Sequence, residues 1–328
     1  MLKRIAKKVF RLINPPFESI EDNTWDNMDV LAQKSAPLRV GQEKMDETLF
    51  VLHQIKNAQT IKTDENEALT RIFTGQKIYV DTRDISVAPH LMFEGTWEPG
   101  ITGVFQKIVK ESDTVLDIGA NFGYFGFVAG AEVKDSGKVF FIEANPSLCA
   151  YIKKGVMLNG MNANSTVSNL AISNKEGEVK FNILKDSWGS SSLMDIETIS
   201  KSDNVQYEVN SIVKVPATTV DQYCQDNGLR SVDVIKLDIE GFEPQAFEGM
   251  RQLIRNSPSL KMFLEFAPSR YNNPKKFFSE LKQDFPYIYG INDHNGDVTN
   301  INNYDDFNQN AHNDWLMLLL SKSAIASL

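Results

Sequence analysis

The chain has 328 residues, of which 42% are hydrophobic and 23% are charged, a composition typical of a globular protein with a large core. Its formal net charge of -9 argues against nucleic-acid binding, because phosphate contacts require clustered lysine and arginine side chains. The two cysteines, Cys149 and Cys224, form neither a CxxC motif nor a disulfide framework, which favours a reducing, cytoplasmic compartment.

Residues 1–17 combine basic and apolar side chains at helical spacing, without the continuous apolar segment of a signal peptide. Such a helix would dock on its own protein or make peripheral contact with an anionic membrane. Residues 18–42 resemble a linker, and the spacing predicts helices over 43–59 and 64–75. The second helix would begin at Asp64 and Glu67, which fit a capping box, and end at Gly75. These segments predict a helical extension over residues 1–76, followed by a main domain over 77–328.

From residue 77 onward, short apolar runs alternate with helical segments. The first strand, beginning at residue 77, runs into a turn that ends at 84. Further strands are predicted over 114–118, 138–143, 165–171, 232–238, 260–266, 287–291 and 315–320, with helices over 121–131, 146–159, 244–254 and 274–284. This alternation predicts an α/β Rossmann-like fold with a mostly parallel seven-stranded sheet and helices on both faces.

The loop after strand 114–118 reads Asp117-Ile-Gly119-Ala120-Asn121-Phe-Gly123. Glycine in such a turn lets the backbone approach a ligand closely. The spacing departs from the G-x-G-x-x-G pattern that cradles a pyrophosphate, and the Asp117 carboxylate would repel a diphosphate by about 1 kcal/mol even in water. The same carboxylate would attract the sulfonium and ammonium groups of S-adenosyl-L-methionine. We therefore predict that this loop binds S-adenosyl-L-methionine.

Glu143 ends the next strand, and an acid in this position can bind both hydroxyls of a ribose. That role is shared by several nucleoside cofactors, so Glu143 does not distinguish among them. The residues predicted to complete the cofactor site are Ala144, Asn145, Asn169 and Ala171. Alternatively, Asp117 and Glu143 are structural acids that cap helices or end strands.

Lys236, Asp238 and Glu240 alternate near the carboxyl end of strand 232–238, where open α/β sheets bind ligands. Buried charges are costly unless they are paired, which favours a functional use. We predict that Asp238 accepts the proton of an attacking hydroxyl, oriented by Lys236 and assisted by Glu240. The alternatives are a structural Lys–Asp pair with a helix-capping Glu, and a Mg²⁺ or Ca²⁺ site; we predict no metal.

Four further residues are predicted near the reacting groups. Glu98 precedes the helix that leads to strand 114–118 and could reach either the methionine part of the cofactor or the acceptor. Ser190 and Ser191 lie in a polar loop after Gly189 and could line the acceptor site. His312 precedes the last strand and is a candidate general base.

Several spaced motifs together resemble the FkbM-type methyltransferases: Val-Leu-Asp117-Ile-Gly-Ala-Asn121-Phe-Gly-Tyr124, Ile-Glu143-Ala-Asn-Pro146, Asn169-Leu-Ala171-Ile-Ser173, Thr219-Val-Asp221 and Ile-Lys236-Leu-Asp238-Ile-Glu240-Gly241. The resemblance covers roughly residues 77–320, includes the upstream Asp81, Asp84 and Trp97-Glu98, and leaves the first 75 residues outside. It implies a class I methyltransferase fold and O-methylation. The implied cofactor residues are Asp117, Gly119, Asn121 and Glu143, and those implied to face the acceptor are Asp238 and Glu240.

The acceptor does not follow from the resemblance. We predict a hydroxyl of a sugar, a glycan precursor or a secondary metabolite, and the basic N-terminal helix would suit a membrane-linked acceptor. Two other classes of protein stay open: an NAD(P)-dependent oxidoreductase with the same fold, and a non-catalytic nucleoside-binding protein.

Overall fold

The computed structural model of this chain describes residues 60–189, 191–194, 200, 206–311 and 314–325. The chain divides into two units, Met1–His53 and Gln54–Leu328, and the described elements all lie in the second. The predictions for residues 1–17, the linker and the helix over 43–59 lie outside the described residues. None of the helices that the structure describes is long and apolar enough to cross a bilayer.

Strands and helices alternate along most of the described chain. In chain order, the strands are β1 (Thr60–Asp64), β2 (Glu67–Arg71), β3 (Lys77–Asp81), β4 (Thr114–Ile118), β5 (Lys138–Glu143), β6 (Ser165–Asn169), β7 (Ala171–Ile172), β8 (Gly177–Leu184), β9 (Val209–Thr218), β10 (Val234–Leu237), β11 (Lys261–Phe266), β12 (Tyr287–Ile291), β13 (Val298–Asn300) and β14 (Leu316–Ser321). The helices are α1 (Ala88–Phe93), α2 (Pro99–Ile108), α3 (Tyr124–Val133), α4 (Pro146–Leu158), α5 (Val220–Asp226), α6 (Glu243–Glu248), α7 (Arg251–Asn256), α8 (Pro274–Asp284) and α9 (Tyr304–Asn310).

A three-stranded antiparallel sheet, β1-β2-β3, precedes the main sheet in the chain. The helix predicted over residues 64–75 is therefore wrong. In β2, Ala68 and Thr70 are buried and their neighbours are only partly so, which is the period of a strand. Asp64 does not cap a helix, because its side chain accepts a hydrogen bond from the backbone N–H of Glu65 in the β1–β2 turn. Since β2 pairs with β3, this sheet crosses the predicted domain boundary at residue 76.

An eight-stranded sheet in the order β13-β12-β14-β11-β10-β4-β5-β6 forms the centre of the fold. The five strands from β11 to β6 are parallel, and β14 runs antiparallel between β11 and β12. The predicted Rossmann-like, mostly parallel sheet is thus confirmed. It has one strand more than predicted, because β13 is a three-residue partner of β12 and is too short to give a periodic pattern.

Both faces of this sheet are packed with apolar side chains, as parallel sheets require. In β5, Val139 and Phe141 belong to one hydrophobic cluster, whereas Phe140 and Ile142 belong to another. Successive side chains of a strand point to opposite faces, so the two clusters lie on opposite sides of the sheet. The parallel strands thereby become a rigid support for the loops at their carboxyl ends.

A third sheet, in the order β7-β9-β8, follows β6 in the chain. Neither β8 nor β9 is among the predicted strands, although Val179, Phe181 and Ile183 alternate along β8, and Val213, Val215 and Ala217 along β9, with the period of a strand. The predicted strand over 165–171 is divided at Leu170, so that β6 pairs with the main sheet and β7 with β9. Likewise, the helix predicted over 244–254 is divided into α6 and α7 at Gly249 and Met250.

Candidate active site

A cavity of about 230 Å³ lies at the carboxyl ends of the parallel strands. The loops that follow neighbouring parallel strands meet at one edge of a sheet, which is where open α/β sheets bind ligands. This edge brings together many of the residues singled out from the sequence. Those that line the cavity are Glu98, Gly119, Ala120, Asn121, Glu143, Ala144, Ala171, Ser191, Lys236, Asp238 and Glu240.

The loop after β4 is tied to β5 through its backbone. The N–H groups of Gly119 and Ala120 both donate to the carbonyl of Ile142, at 2.9 and 3.1 Å. The N–H of Asn121 donates to Glu143 Oε2 at 2.8 Å. Gly119 and Asn121 have φ values of 80° and 54°, in the left-handed region that glycine adopts freely and asparagine tolerates. The loop therefore turns sharply over the end of the sheet and faces the cavity with its backbone.

The Glu143 carboxylate is held by backbone N–H groups at both oxygens. Oε2 accepts from Asn121, and Oε1 accepts from Asn145 at 2.7 Å. Burial raises the pKa of Glu143 to about 7, against the effect of these two hydrogen bonds. A carboxylate has about four lone-pair sites, so Glu143 keeps the capacity to accept hydroxyl groups from a ligand in the cavity.

Asp117 and Gly123 lie behind the cavity wall. Asp117 is only 1% exposed, and its Oδ2 accepts a hydrogen bond from the backbone N–H of Gly126 at 2.7 Å. Burial raises its pKa to about 6, while the nearby ammonium of Lys236 acts in the opposite direction. Gly123 is the residue before α3, with φ 84°. Both positions support the loop, and Asp117 acts on the cavity through its charge.

Asn145 and Asn169 also lie outside the cavity lining, and both organise the end of β5. The Asn145 side chain caps α4 by accepting a backbone N–H from its first turn. The Asn169 Nδ2 donates to the carbonyls of Glu143 and Ala144, at 3.0 and 2.9 Å. These two residues hold the carboxylate-bearing loop in position.

Lys236 and Asp238 form a buried ion pair at the end of β10. The Lys236 side chain is 6% exposed, and its Nζ donates to Asp238 Oδ2 at 2.6 Å. The same Nζ lies 4.9 Å from the centre of the Phe125 ring, a distance suited to a cation–π contact. Burial acts to lower the pKa of Lys236, but the carboxylates of Asp238, Asp117 and Glu98 outweigh it and raise that pKa above its usual value. Lys236 is thus a permanently charged neighbour of Asp238.

Glu240 has a different partner from the one that strand geometry predicts. β10 ends at Leu237, and Glu240 lies in the following turn with φ 56°. Its Oε2 lies 2.5 Å from Nη1 of Arg270, which also lies 3.0 Å from Glu265 Oε2. Burial raises the pKa of Glu265 well above its usual value, and the Arg270 charge acts against this increase. Arg270 therefore holds two carboxylates on the β11 side of the cavity.

Glu98 precedes α2 and has a left-handed backbone, with φ 45° and ψ 65°. Its Oε2 is buried and has no hydrogen-bond partner among the described residues. Burial raises the pKa of Glu98 to about 8; Lys236 acts to lower it, and Asp238 and Asp293 act to raise it.

Oxygen atoms of Asp238, Glu243 and Glu265 lie within 4.8 Å of one another, a spacing that a divalent cation could bridge. Each carboxylate already has a partner, however. Asp238 binds Lys236, Glu265 binds Arg270, and Glu243 accepts hydrogen bonds from two backbone N–H groups of the turn after β10. Because each of the three carboxylates already has a partner within the protein, we assign no metal to this cluster.

The segment after β8 forms a further wall of the cavity. Trp188 packs against Phe122 and Tyr151, whose ring centres lie 6.4 and 6.3 Å from its own and 6.3 Å from each other. Its backbone N–H donates to Asp84 Oδ2 at 2.9 Å, which fixes this segment to the turn after β3. Ser191 accepts the backbone N–H of Leu184 through its hydroxyl. The predicted acceptor residues at positions 190 and 312 lie outside the described residues.

A family model for the methyltransferase FkbM domain matches residues 117–322, more than half of the chain. The chain belongs to the FkbM methyltransferase family. The resemblance noted in the sequence is thereby confirmed.

Solved structures similar to this chain include a methyltransferase FkbM from Methylobacillus flagellatus, at 14% sequence identity and a TM-score of 0.41. That match covers 64% of this chain and 43% of the other. A second is TYW2 from P. horikoshii in complex with MeSAdo, at 13% identity and a TM-score of 0.40, covering 80% of this chain and 74% of that one. A third is a SAM-dependent O-methyltransferase from Thermotoga maritima, at 13% identity and a TM-score of 0.36, covering 83% of this chain and 89% of that one. The chain spans less than half the length of the first of these proteins. No curated protein sequence matches it.

Trp188 lines the cavity and Arg270 binds the cavity residue Glu240, although neither is predicted from the sequence. Arg270 lies in the turn after β11, and a basic residue just past the end of a parallel strand was the available signal. No comparable signal exists for Trp188. Its position depends on β8 and on the hydrogen bond to Asp84, which lies 104 residues earlier in the chain.

Gly119→Ala is expected to lower the free energy of unfolding by roughly 2–4 kcal/mol and to weaken ligand binding. A Cβ atom at this position would lie 1.7 Å from the backbone carbonyl oxygen of Asp238, and the residue would also have to keep φ 80°. Chemical denaturation measures the loss.

Gly160→Ala is the matched control for this prediction. Gly160 has φ 71°, and a Cβ atom there would meet no atom within 4 Å. The control isolates the backbone strain, which costs about 1 kcal/mol. Equal losses in the two variants would contradict the close approach of Gly119 to Asp238.

Proposed function

We propose that this protein transfers a methyl group from S-adenosyl-L-methionine to a hydroxyl oxygen of a sugar, a glycan precursor or a secondary metabolite. The observation that carries the proposal is the Glu143 carboxylate, which faces the cavity while backbone N–H groups hold both of its oxygens. A carboxylate fixed in this way is suited to binding the two vicinal hydroxyls of a ribose.

The charges around the cavity support a cationic cofactor over a dinucleotide. Lys236 is the only cation among the described residues that line the cavity, whereas the lining acids are Glu98, Glu143, Asp238, Glu240 and Glu265. At 4 Å, two like unit charges repel each other by about 4 kcal/mol at an effective dielectric constant of 20. Burial raises the pKa values of Glu98, Glu143 and Glu265, so a diphosphate would be repelled by those acids that are ionised, whereas a sulfonium would favour the ionised form of all of them.

Unsatisfied polar atoms also support a bound ligand. Glu98 Oε2 and Asn121 Oδ1 are buried and have no hydrogen-bond partner among the described residues. Both residues line the cavity. A buried acceptor without a donor costs about 1–3 kcal/mol. The amino, hydroxyl and ammonium groups of S-adenosyl-L-methionine are donors that fit this need.

S-adenosyl-L-methionine, when bound, supplies a methyl group on a positively charged sulfur. Glu143 would hold the ribose, and the apolar side chains of Leu148, Leu170 and Phe181 provide a surface for an aromatic base. Asp238 would accept the proton that the acceptor hydroxyl loses as its oxygen forms the new bond to carbon. Lys236 fixes the Asp238 carboxylate through its 2.6 Å hydrogen bond. Alignment of the two reactants contributes most of the acceleration, and proton removal adds to it.

Isothermal titration with S-adenosylhomocysteine tests the cofactor, and Glu143→Gln is expected to weaken its binding about 10- to 100-fold. The substitution replaces charge-assisted hydrogen bonds to the ribose, worth about 1.5–3 kcal/mol, by neutral ones. The exposed Glu176, changed to Gln, is the matched control and is expected to leave the affinity unchanged.

Other outcomes of the titration would support the competing functions. If titration with NADH gives heat of binding and titration with S-adenosylhomocysteine gives none, the proposal is overturned in favour of an oxidoreductase. Binding of S-adenosylhomocysteine without methyl transfer in a screen of sugars, glycan precursors and polyketide alcohols would favour a non-catalytic binding protein. Loss of transfer in EDTA, restored by Mg²⁺, would show a metal requirement.

A further inference from the structure

The backbone around Glu98 holds its side chain at the cavity in a strained conformation. A left-handed backbone costs a residue other than glycine about 1–2 kcal/mol and persists only when its surroundings impose it. Pro99 begins α2 directly after Glu98, the Glu98 carbonyl accepts the N–H of Thr102 at 2.8 Å, and the Thr102 hydroxyl donates to the carbonyl of Trp97 at 2.7 Å. The backbone of Glu98 is therefore fixed by the fold, and its side chain lines the cavity.

This carboxylate does not have the partner that its surroundings would suggest. The only cation among the described residues that line the cavity is Lys236, and its Nζ donates to Asp238. Glu98 Oε2 is buried and receives no hydrogen bond from the described residues. A buried carboxylate oxygen without a donor is costly unless a ligand supplies the donor.

A cation with N–H donors would satisfy Glu98, and the proposed cofactor has one. S-adenosyl-L-methionine contains an α-ammonium group on its methionine part, while its sulfonium has no N–H or O–H to donate. We propose that Glu98 binds the α-ammonium group of the cofactor. The inference rests on the proposed function, since it requires that S-adenosyl-L-methionine or its product occupies this cavity.

A cycle of two proteins and two ligands tests the contact. Wild type and Glu98→Gln are each titrated with S-adenosylhomocysteine and with its deamino analogue, which keeps the carboxylate and lacks the ammonium. In wild type, the deamino analogue is expected to bind about tenfold or more weakly than S-adenosylhomocysteine. Glu98→Gln is expected to lower the affinity for S-adenosylhomocysteine by a similar factor. In Glu98→Gln, the two ligands are expected to bind equally, because the carboxylate and the ammonium act only as a pair.

Proton release provides a second measurement on the unaltered protein. Burial raises the pKa of free Glu98 to about 8, so a large fraction of its carboxyl groups is protonated at pH 7. Pairing with an ammonium favours the ionised form, and S-adenosylhomocysteine should therefore release protons on binding. The observed heat would then depend on the ionisation enthalpy of the buffer in wild type and much less in Glu98→Gln. The deamino analogue should release fewer protons.

Glu94→Gln is the matched control, because Glu94 is exposed and lies four residues before Glu98. Thermal melts establish that each variant is folded. If Glu98→Gln lowers the affinity for both ligands equally, or changes neither affinity, the inference is wrong while the proposed function stands. Unchanged affinities would be expected if Glu98 instead contacts an amine of the acceptor. If wild type binds neither ligand, the proposed function and the inference both fail.

Discussion

Lys236→Met is expected to lower the free energy of unfolding by about 3–5 kcal/mol at neutral pH, which is typical when one member of a buried ion pair is removed. The Lys236 side chain is 6% exposed and bonded to Asp238. Its charge also acts on the carboxyl groups of Asp117 and Glu98, whose pKa values it holds down. Methionine would fill a similar volume and leave these acids without their shared cation.

The loss of stability caused by Lys236→Met should become larger as the pH rises. Burial raises the pKa of Glu98 to about 8 and that of Asp117 to about 6 even when Lys236 is present. When folding raises the pKa of a carboxyl group, its contribution to stability is fully present below the unfolded-state pKa and is lost as the pH rises toward the folded-state value. Without Lys236 both folded-state values would rise further, so the loss would continue to higher pH. The deficit of Lys236→Met should thus be smaller near about pH 5 than near about pH 8.

Denaturation in urea across this pH range measures the effect. Lys134→Met is the control, because Lys134 pairs with Glu111 at a surface position where both side chains are about 60% exposed. Exposed pairs contribute about 0–1 kcal/mol, so this variant should change little at any pH. A deficit of Lys236→Met that is independent of pH would indicate the lost cation–π contact with Phe125 as its main cause.

The sequence locates the site because its clearest signals are local. A short apolar run in the sequence indicates a buried parallel strand. The residues that follow such strands lie at the same edge of the sheet, regardless of the length and structure of the segments that connect the strands. Gly119, Glu143 and Asp238 were predicted on this basis, and all three line the cavity. Their roles in binding and catalysis stay predictions, which substitution of each residue would test.

The elements missed from the sequence were missed for two different reasons. Asp64 and Glu67 have the spacing of a capping box, but the pairing of β2 with β3 makes the segment part of a sheet, and that contact is not visible in the local pattern. In β8 and β9 a local signal is present, because Val179, Phe181 and Ile183 alternate along one strand and Val213, Val215 and Ala217 along the other. No strand was predicted from this alternation.

The charge pairing of the site was predicted only in part. Alternation along β10 suggests that Lys236, Asp238 and Glu240 share one face, and the Lys236–Asp238 pair agrees with this. The strand ends before Glu240, which is bound by Arg270 from the turn after β11. Neighbouring parallel strands bring these turns together, but which side chains pair across them is decided by backbone angles such as φ 56° at Glu240.

Asp238→Asn is expected to lower kcat for methyl transfer about 10²- to 10⁴-fold, the range typical of a lost general base. Asparagine keeps the size of the side chain and can still accept a hydrogen bond from Lys236, but it cannot take a proton from the acceptor. The affinity for S-adenosylhomocysteine and the KM for the acceptor should change far less than kcat, because the substitution acts on the step that moves the proton. The rate is measured as S-adenosylhomocysteine formed with an acceptor found in the screen.

The division of the loss between kcat and KM separates a base from a residue that only positions the acceptor. With Asp238 as the base, Asp238→Asn should lower kcat and leave the KM for the acceptor close to its wild-type value, whereas loss of a positioning contact should raise that KM. Asp226→Asn, a change at an exposed acid on α5, is the control for the substitution itself and should retain both wild-type values. A loss of less than about tenfold in kcat for Asp238→Asn would mean that alignment of the reactants is sufficient and that the proton leaves to another group. Glu265, which lines the same cavity and whose pKa burial raises, would then be the next acid to replace.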